Sequence, residues 1–419
     1  MASHVRAEGL TKVFGDAPKK ALEAQGSGRD AAWIREQLGQ TLAVDDVSFE
    51  VEAGELFVVM GLSGSGKSTV IRMLNRLVEP SAGEVWIGDE RVGALDNRGL
   101  RELRQRRMSM VFQHFALFPH RTVVENAAFG LKVQGVEPDE RRERAEEALE
   151  TVGLAGWSEH YPSELSGGMQ QRVGLARGLA TQADILLMDE PFSALDPLIR
   201  REMQGLLAEL QSELQRTIVF ITHDLNEAML LGDRICVLRQ GRVVQIGTGA
   251  QIIASPASDY VAEFVADVDR SRVLTADIAM REPRRVFAPT ASPQEVLDWL
   301  AGQEANGVYV LAEDGRVLGV ARDDRLARGL GEGAREIGGL LTDDYANVPP
   351  DTLLADLSAL AARNSVPIAV TDDTGKLLGV VPRARLLASL AGTEVSTGPQ
   401  AAGRDPNGAG RGRQEPADA

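Results

Sequence analysis

One glycine-rich segment, Gly61-Leu-Ser-Gly-Ser-Gly-Lys67-Ser68-Thr69, restricts the possible folds of this chain more than any other. It follows the apolar run Leu56–Met60, which predicts a buried strand, and precedes a stretch from Thr69 to Leu77 that predicts a helix. In this setting, consecutive backbone N–H groups turn toward an anion at the positive end of the helix. The segment therefore predicts an α/β domain that binds the phosphates of a nucleotide.

Two side chains of this loop have predicted chemical roles. Lys67 is expected to reach the β and γ phosphates of ATP, and Ser68 is expected to hold Mg²⁺. The predicted ATP-binding residues of the loop are Gly61, Ser63, Gly64, Ser65, Gly66, Lys67, Ser68 and Thr69.

A second apolar run, from Ile185 to Met188, ends in the adjacent acids Asp189 and Glu190. One carboxylate can steady a magnesium ion, while the next can polarise the water that attacks the phosphate. We therefore predict Asp189 as a metal ligand and Glu190 as the general base. Such a run is a weak signal by itself, and the phosphate loop upstream makes it a strong one.

A third motif, Leu165-Ser-Gly-Gly-Met-Gln-Gln-Arg172, distinguishes between classes of nucleotide-binding protein. Ser166 and the two following glycines precede a predicted helix, Met169 to Ala180, and offer another anion site lined by N–H groups. The octet resembles the signature motif of ABC ATPases, and other motifs of that family occur in the same order. The resemblance implies Phe14 against adenine, Gln113 at ATP and the metal, Asp196 in the D-loop, and His223 as a catalytic contact of the γ-phosphate.

The resemblance to ABC ATPases also implies a dimer. In that family, ATP on the phosphate loop of one subunit is enclosed by the signature motif of the other. This sequence carries one copy of each motif, so we expect a homodimer of the ATPase domain. The residues expected to contact ATP bound to the second subunit are Ser166, Gly167, Gly168, Gln170 and Asp196.

Residues 41–265 resemble, more narrowly, the ATPase subunits of importers for glycine betaine, proline and related osmoprotectants. The resembling segments include the stretches 74–77 and 111–120. A second indicator is an insert at about 16–40, where that group carries a helical insert and where Asp30 can cap a short helix. The resemblance implies ATP and Mg²⁺ as cofactors, a separate transmembrane permease, and indirectly a substrate-binding protein. It also implies a peripheral position on the cytoplasmic face of the plasma membrane.

Between about residues 272 and 392 the chain repeats itself with an offset of 60 residues. For example, Leu318-Gly-Val320 in the first copy matches Leu378-Gly-Val380 in the second. Each copy predicts the order helix, strand, Asp/Gly turn, strand, helix. The repeat resembles a tandem pair of CBS domains, which some members of this importer group append as a regulatory module.

The pair departs from the nucleotide-binding pattern of CBS domains. Where that pattern has a Ser or Thr and an Asp that hold ribose, the chain has Arg322 and Arg325 in the first copy and Pro382 and Arg385 in the second. We therefore expect no adenosine binding of the usual kind, and the arginines favour phosphate or another anionic ligand. A pair that serves only dimerisation or structure is the open alternative.

The expected fold is α/β: a P-loop ABC ATPase domain with a RecA-like core and a helical subdomain, followed by an α+β CBS pair. We expect the ATPase domain at 1–265 and the CBS-like repeats at 266–330 and 331–392. The segment 393–419 is expected to be a disordered tail, because its composition buries little apolar surface.

Composition argues against several other functions. The net charge of −16 disfavours nucleic acid as a partner, since phosphate contacts need a basic face. Cys236 is the only cysteine, so neither an internal disulfide nor a cysteine-based metal site is possible. The first residues lack the apolar core of a signal peptide, and the longest apolar runs are too short for a membrane span.

Two alternatives stand beside an osmoprotectant importer. The first is the ATPase subunit of another ABC transporter, against which the insert and the repeat both speak. The second is a non-transport ABC ATPase. The DNA-repair type needs a long coiled coil between these motifs, and too few residues separate Lys67 from Ser166 to form one. The ribosome-associated type carries two ATPase domains in one chain, whereas this chain has the motifs of one.

Overall fold

The computed structural model describes residues 4–113, 116–303 and 305–392. The chain divides into two compact units, Met1–Val273 and Leu274–Ala419. The tail expected at 393–419 lies outside the described residues. Among the helices described, none combines the length and the apolarity that a membrane crossing requires.

The first unit alternates strands and helices. Its strands are β1 (Val5–Phe14), β2 (Thr41–Val51), β3 (Leu56–Met60), β4 (Ala82–Ile87), β5 (Glu90–Arg91), β6 (Met108–Val111), β7 (Ile185–Asp189), β8 (Thr217–Thr222), β9 (Arg234–Arg239) and β10 (Arg242–Gly247). Its helices are α1 (Pro18–Gly26), α2 (Ala31–Leu38), α3 (Lys67–Leu74), α4 (Asn97–Arg106), α5 (Val123–Ala127), α6 (Phe129–Gln134), α7 (Pro138–Thr151), α8 (Gly167–Ala180), α9 (Pro197–Leu214), α10 (Leu225–Leu231), α11 (Gly249–Ala254) and α12 (Asp259–Phe264).

The central sheet of the first unit has the strand order β10-β9-β3-β8-β7-β6. Neighbouring strands from β9 to β6 run parallel, and β10 is antiparallel to β9. β3 and β7 are buried along their whole length, which explains their continuous apolar sequences, because a parallel sheet is covered on both faces. The carboxyl ends of β3, β7 and β8 lie at one edge, where α/β proteins bind ligands.

A second sheet, with the order β2-β1-β4-β5, is antiparallel. Val44 and Val47 of β2 share a hydrophobic core with Val59 of β3 and Ile71 of α3. Local sequence patterns do not predict this sheet. Its strands are separated by the insert and by the phosphate loop, so their pairing is not visible as a local pattern.

The helix after the phosphate loop differs from its predicted bounds. It covers Lys67–Leu74 rather than Thr69–Leu77. Gly66 adopts a left-handed φ of 99°, which lets the chain enter the helix at the next residue, and Arg76 adopts a φ of 54° just beyond its end. The first helical turn therefore includes the lysine itself.

The helix after the signature motif also begins earlier than predicted. α8 starts at Gly167 rather than Met169. Ser166 is the reason, because its Oγ accepts the Met169 N–H at 3.4 Å and caps the helix.

The insert forms α1 and α2, of which the sequence pattern predicts only the second. Asp30 Oδ1 accepts the Trp33 N–H at 2.8 Å, and Gly39 ends α2 with a left-handed φ of 63°. Ile34 of α2 is fully buried and packs in a small cluster with Val13 of β1. The insert is thus anchored to the strands that flank it.

The second unit contains both copies of the repeat. Its elements are α13 (Ala276–Ala279), α14 (Pro293–Leu300), β11 (Gly307–Leu311), β12 (Val317–Arg322), α15 (Asp323–Gly331), β13 (Asn347–Val348), α16 (Leu354–Arg363), β14 (Ile368–Thr371), β15 (Leu377–Val381) and α17 (Arg383–Ala391). Each copy follows the predicted order helix, strand, turn, strand, helix. The hairpin pairs β11–β12 and β14–β15 are antiparallel.

The two copies share a core. Tyr309 and Val320 of the first copy pack in one buried cluster with Val366 and Val380 of the second. The Tyr309 hydroxyl also donates to the Pro367 carbonyl at 2.5 Å. These contacts explain why the motif occurs in tandem, because one copy alone leaves this apolar face exposed.

Candidate functional site

The phosphate loop has a backbone that only glycine fits at two positions. A Cβ at Gly61 would lie 2.3 Å from the Leu238 carbonyl oxygen, and one at Gly66 would lie 2.5 Å from the Ala43 carbonyl oxygen. Both glycines also have positive φ, 152° and 99°. The loop is therefore held tightly against β2 and β9.

Lys67 is buried at the base of this loop, with 4% of its surface exposed. Its Nζ donates to the carbonyls of Gly61 at 2.9 Å and Leu62 at 3.3 Å, and lies 3.6 Å from Glu190 Oε1. Burial lowers the pKa of Lys67, an effect that the nearby carboxylates partly offset. The ammonium group is therefore fixed at the base of the loop by two backbone carbonyls and one carboxylate.

Ser68 and Asp189 meet although they are far apart in sequence. Ser68 Oγ donates to Asp189 Oδ1 at 2.8 Å. The other carboxylate oxygen, Oδ2, lies 3.1 Å from Arg72 Nη2. Asp189 is 2% exposed, so its charge is balanced mainly by Arg72 and the serine hydroxyl.

Glu190 and His223 form the second carboxylate contact. His223 Nδ1 lies 2.9 Å from Glu190 Oε2. Glu190 itself has a φ of 47°, which is uncommon for a residue with a side chain, and its N–H donates to the Ile221 carbonyl at 3.0 Å. The site thus holds a carboxylate and an imidazole within hydrogen-bonding distance at the ends of β7 and β8.

Gln113 follows β6 and contacts the turn after Glu190. Its Nε2 donates to Ser193 Oγ at 3.2 Å, and that hydroxyl donates to the Glu190 carbonyl at 3.0 Å. Ser193 therefore links Gln113 to the turn that follows Glu190.

The residues present fit a nucleotide phosphate and a magnesium ion. Ser65 Oγ is buried and has no hydrogen-bond partner among the described residues, so a phosphate oxygen can accept from it. Ser68 Oγ and the Asp189 carboxylate supply the hard oxygen ligands that Mg²⁺ prefers. Ser63 and Gly64 are exposed on the loop, and Thr69 is half-buried on α3.

Phe14 lies at the end of β1 and is 43% exposed. The Lys12 ammonium lies 5.2 Å from the centre of its ring. Gln40 accepts the Ala17 N–H at 3.1 Å and so joins the two ends of the insert. An exposed aromatic face held in this way offers a platform for a planar base.

The signature residues lie at the start of α8. Ser166 and Gly167 are exposed, whereas a Cβ at buried Gly168 would lie 2.4 Å from Ile199 Cγ2. Gln170 Nε2 donates to the carbonyls of Pro162 at 2.9 Å and Leu165 at 3.2 Å, so its amide braces its own loop.

Asp196 is exposed and caps α9. Its Oδ1 accepts the N–H groups of Leu198 and Ile199 at 3.1 and 3.2 Å. The contact between Gly168 and Ile199 therefore joins the signature helix to the D-loop helix.

A cavity of about 560 Å³ lies within the second unit. Its charged lining consists of arginines, and its walls include Trp299 and Tyr309 from the first copy. The lining arginines are Arg281, Arg284, Arg285 and Arg383.

The arginines of the cavity differ from those that the ribose pattern singles out. Arg322 contacts Asp344 at 3.4 Å and Ser365 at 3.1 Å, and Arg325 donates to the Leu341 carbonyl at 3.0 Å. In the first copy, the two arginines that we expected to face an anion thus form hydrogen bonds within the second unit.

The sequence patterns did not single out two arginines that contact the predicted site residues or the turns beside them. Arg72 lies one helical turn beyond Ser68, a spacing that places both on the same face of α3. Arg200 lies one turn beyond Asp196 on α9, and its guanidinium donates to the carbonyls of Phe192 and Leu195. Helical spacing from a predicted site residue is the signal that identifies each.

Comparison with known proteins finds two family models. The ABC transporter model matches residues 44–193, and the CBS domain model matches residues 334–392. The chain is 45% identical to the glycine betaine/carnitine transport ATP-binding protein GbuA of Listeria monocytogenes, over 94% of this chain and 99% of that protein. It is 43% identical to the glycine betaine/proline betaine transport system ATP-binding protein ProV of Escherichia coli, over 95% of this chain and 100% of that protein.

A solved structure also resembles the first unit. It is a dimeric, post-hydrolysis state of the ATP-binding cassette MJ0796 bound to ADP and Pi. The likeness has a TM-score of 0.50 and 33% sequence identity, and it covers 58% of this chain and 98% of that chain.

Proposed function

Since the chain belongs to the ABC transporter family of ATP-binding proteins, we propose that it is the ATPase subunit of an importer for glycine betaine, proline or a related osmoprotectant. The observation that carries this proposal is the convergence of Lys67, Asp189 and Glu190 at one edge of the parallel sheet. Near-full-length similarity to two glycine betaine transport ATP-binding proteins supports the substrate class. The ATPase subunit of an ABC transporter with another substrate is the alternative.

The phosphate loop is assigned to the β and γ phosphates of ATP. Lys67 supplies the fixed positive charge, and the loop supplies backbone N–H groups. Ser65 Oγ, buried without a partner among the described residues, offers a further donor. Gly61, Ser63, Gly64, Gly66 and Thr69 complete this set.

Ser68, Asp189 and Gln113 are assigned to the metal. Mg²⁺, when bound, neutralises charge on the β and γ phosphates. The 2.8 Å contact between Ser68 Oγ and Asp189 supports a shared ligand position. Gln113 is held by Ser193, so a shift of its side chain toward the metal also reaches the turn that carries Glu190.

Glu190 is assigned as the general base and His223 as the catalytic contact of the γ-phosphate. Glu190 Oε2 accepts from His223 at 2.9 Å when Nδ1 carries the proton, which orients both side chains. The carboxylate then takes a proton from the attacking water, while the imidazole stays near the phosphate. The protein contributes position and charge rather than a covalent step.

The signature surface is assigned to a second copy of this chain. Ser166 and Gly167 are exposed at the start of α8, and Asp196 is exposed at the start of α9. Leu62 and Leu198, beside the phosphate loop and the D-loop, are 57% and 75% exposed, which favours burial in an interface. The dimeric MJ0796 cassette supports a homodimer. Gly168 and Gln170 are assigned to the same contact with ATP.

The remaining partners follow from the proposed role. We infer a separate transmembrane permease, a substrate-binding protein that acts through it, and a peripheral position on the cytoplasmic face of the plasma membrane. Phe14 is assigned to stacking against adenine, since its ring is exposed at the end of β1.

An uptake assay tests the function. A strain that lacks the chain is given the wild type, Glu190→Gln or the exposed control Glu209→Gln. Uptake of labelled glycine betaine, proline and choline is then measured side by side under salt stress. We expect wild type and Glu209→Gln to restore uptake of at least one of the three, and Glu190→Gln to restore none. If the wild-type protein hydrolyses ATP but restores uptake of none of the three compounds, the result would favour an ABC transporter with another substrate.

We also propose that the cavity of the second unit takes an anionic regulator. Burial, with Arg284 and Arg385 nearby, lowers the pKa of Arg281, so a bound anion relieves unfavourable charge there. Titration calorimetry with inorganic phosphate and pyrophosphate tests this proposal. Arg281→Ala with Arg383→Ala should abolish binding, and Arg328→Ala, an exposed control on α15, should retain it. An unchanged titration in the double variant would favour a purely structural pair.

A further inference from the structure

A buried polar cluster lies behind the catalytic edge and has no part in the assignments above. Its centre is Glu227 of α10, which is 4% exposed. Glu227 Oε2 accepts from Thr222 Oγ1 at 2.5 Å, and Oε1 accepts from Gln204 Nε2 at 3.1 Å. Burial raises the pKa of Glu227, which shows that desolvation of this carboxyl group is costly.

The cluster surrounds the turn that carries His223. Thr222 ends β8, and its Oγ1 also accepts the Asp224 N–H at 2.9 Å. Asp224 in turn caps α10 by accepting the N–H groups of Asn226 and Glu227 at 2.9 and 3.3 Å. The residues on both sides of His223 are therefore fixed by hydrogen bonds.

Arg200 joins this turn from α9. Its Nη1 lies 3.5 Å from Asp224 Oδ2, and its Nε lies 3.8 Å from Glu227 Oε1. The guanidinium thus contacts the carboxylate next to His223 and the buried carboxyl group of the cluster.

The same guanidinium holds the turn that follows Glu190. Arg200 Nε donates to the Phe192 carbonyl at 3.3 Å, and Nη2 donates to the Leu195 carbonyl at 3.1 Å. Glu190 needs such support, because its φ of 47° is unfavourable for a residue with a side chain and persists only where neighbours impose it.

We propose that Arg200 is a positioning residue for ATP hydrolysis, which sets the contact between Glu190 and His223 by holding both turns at once. The planar fork of arginine donates in several fixed directions, so one side chain can hold two carbonyls and two acids. An error of about 1 Å in the position of a catalytic group lowers a rate by about 100-fold. This proposal rests on the catalytic roles proposed above for Glu190 and His223.

The first test uses the full chain with Arg200→Ala and Arg200→Lys. We expect kcat to fall about 10- to 100-fold in both, with the dissociation constant for ATP within about threefold of wild type. Lysine should fail because its ammonium is a point charge that cannot span both turns. Arg201→Ala, an exposed neighbour on α9, is the matched control and should keep the wild-type kcat. A wild-type kcat in Arg200→Lys, or equal losses of ATP binding and kcat, would overturn the proposal.

The second test combines Arg200 with Glu190. If Arg200 acts through the base, Arg200→Ala should lower the rate no further in the Glu190→Gln background. A further loss of the same size would show that Arg200 acts independently and would contradict the proposal. Where Arg200→Ala does not fold, Arg200→Lys is used in both backgrounds. A wild-type rate in Glu190→Gln alone would instead reject Glu190 as the general base. If Glu190→Gln is inactive while Arg200→Ala keeps the wild-type rate, only the positioning role of Arg200 is rejected.

Discussion

In the first unit the polar side chains of the site bond to one another, whereas in the second unit arginines line a cavity between two copies of one motif. Ser68 forms a hydrogen bond with Asp189, and Glu190 forms one with His223, at the ends of parallel strands. In the second unit, the Nε atoms of Arg281 and Arg385 are buried with no hydrogen-bond partner among the described residues. The first arrangement pairs a carboxylate with an imidazole, and the second leaves two guanidinium nitrogen atoms without a described partner.

This difference has a physical origin. Parallel strands bring residues from distant parts of the chain to one edge, where acids, lysine and histidine can sit side by side. The second unit instead closes a shared apolar core between two similar halves, as Tyr309 and Val366 illustrate, and leaves its polar groups at the rim of a cavity. The two units should therefore respond differently to substitution.

The largest expected effect is the loss of hydrolysis in Glu190→Gln. Removing a general base lowers a rate by about 10²- to 10⁴-fold, while glutamine keeps the shape of the side chain. Steady-state ATPase rates and ATP binding should be measured on the same protein, with Glu209→Gln as control. Wild-type turnover in Glu190→Gln would remove the chemical distinction between the units.

Lys67→Ala should weaken ATP binding by about 10- to 150-fold. Hydrogen bonds to a charged group contribute about 1.5–3 kcal/mol, and this ammonium is already desolvated. Binding of a fluorescent ATP analogue gives the measurement, and Lys132→Ala, an exposed lysine on α6, gives the comparison. Unchanged affinity in Lys67→Ala would contradict the phosphate assignment.

Phe14→Ala should have a smaller effect, about a fivefold loss of ATP affinity. Stacking of a base on an aromatic ring is worth about 1–3 kcal/mol, and the partial exposure of Phe14 favours the lower value. Phe14→Trp keeps an aromatic surface and should bind ATP close to the wild-type level. Equal affinity in the alanine and tryptophan variants would place adenine elsewhere.

The smallest expected effect on hydrolysis is that of Arg281→Ala combined with Arg383→Ala. Basal ATPase in the absence of added phosphate or pyrophosphate should stay within about twofold of wild type, because these arginines line a cavity of the second unit. The assay is the same steady-state measurement used for Glu190→Gln. A loss of basal ATPase as large as that in Glu190→Gln would show that the arginines of the second unit are needed for hydrolysis itself.

Local sequence patterns predict much of the first unit. The runs that form β3 and β7 are continuous and apolar, and the glycine loop directly follows the first of them in the sequence. The exact start of α3 escaped prediction because it depends on the left-handed φ of Gly66. The antiparallel sheet and α1 escaped prediction because pairing and packing between distant segments create them.

The second unit shows a different limit. Its repeat predicts the order of elements in each copy, because the pattern of each copy is local. The cavity arginines were not predicted, since Arg281, Arg284 and Arg285 lie in an irregular segment before the first repeat helix. Arg322 and Arg325 instead bond to internal partners that no spacing indicates.

The sequence alone determined which groups are available for chemistry: a glycine loop with Lys67 and Ser68, the acids Asp189 and Glu190, and His223. It could do so because each group belongs to a short motif of adjacent residues that can be read directly from the sequence. Only the tertiary structure decided that Arg72 pairs with Asp189 and that Arg200 joins the turn after Glu190 to the turn that carries His223. Side chains that act across the sheet contact residues remote in sequence, and such distances are set by packing.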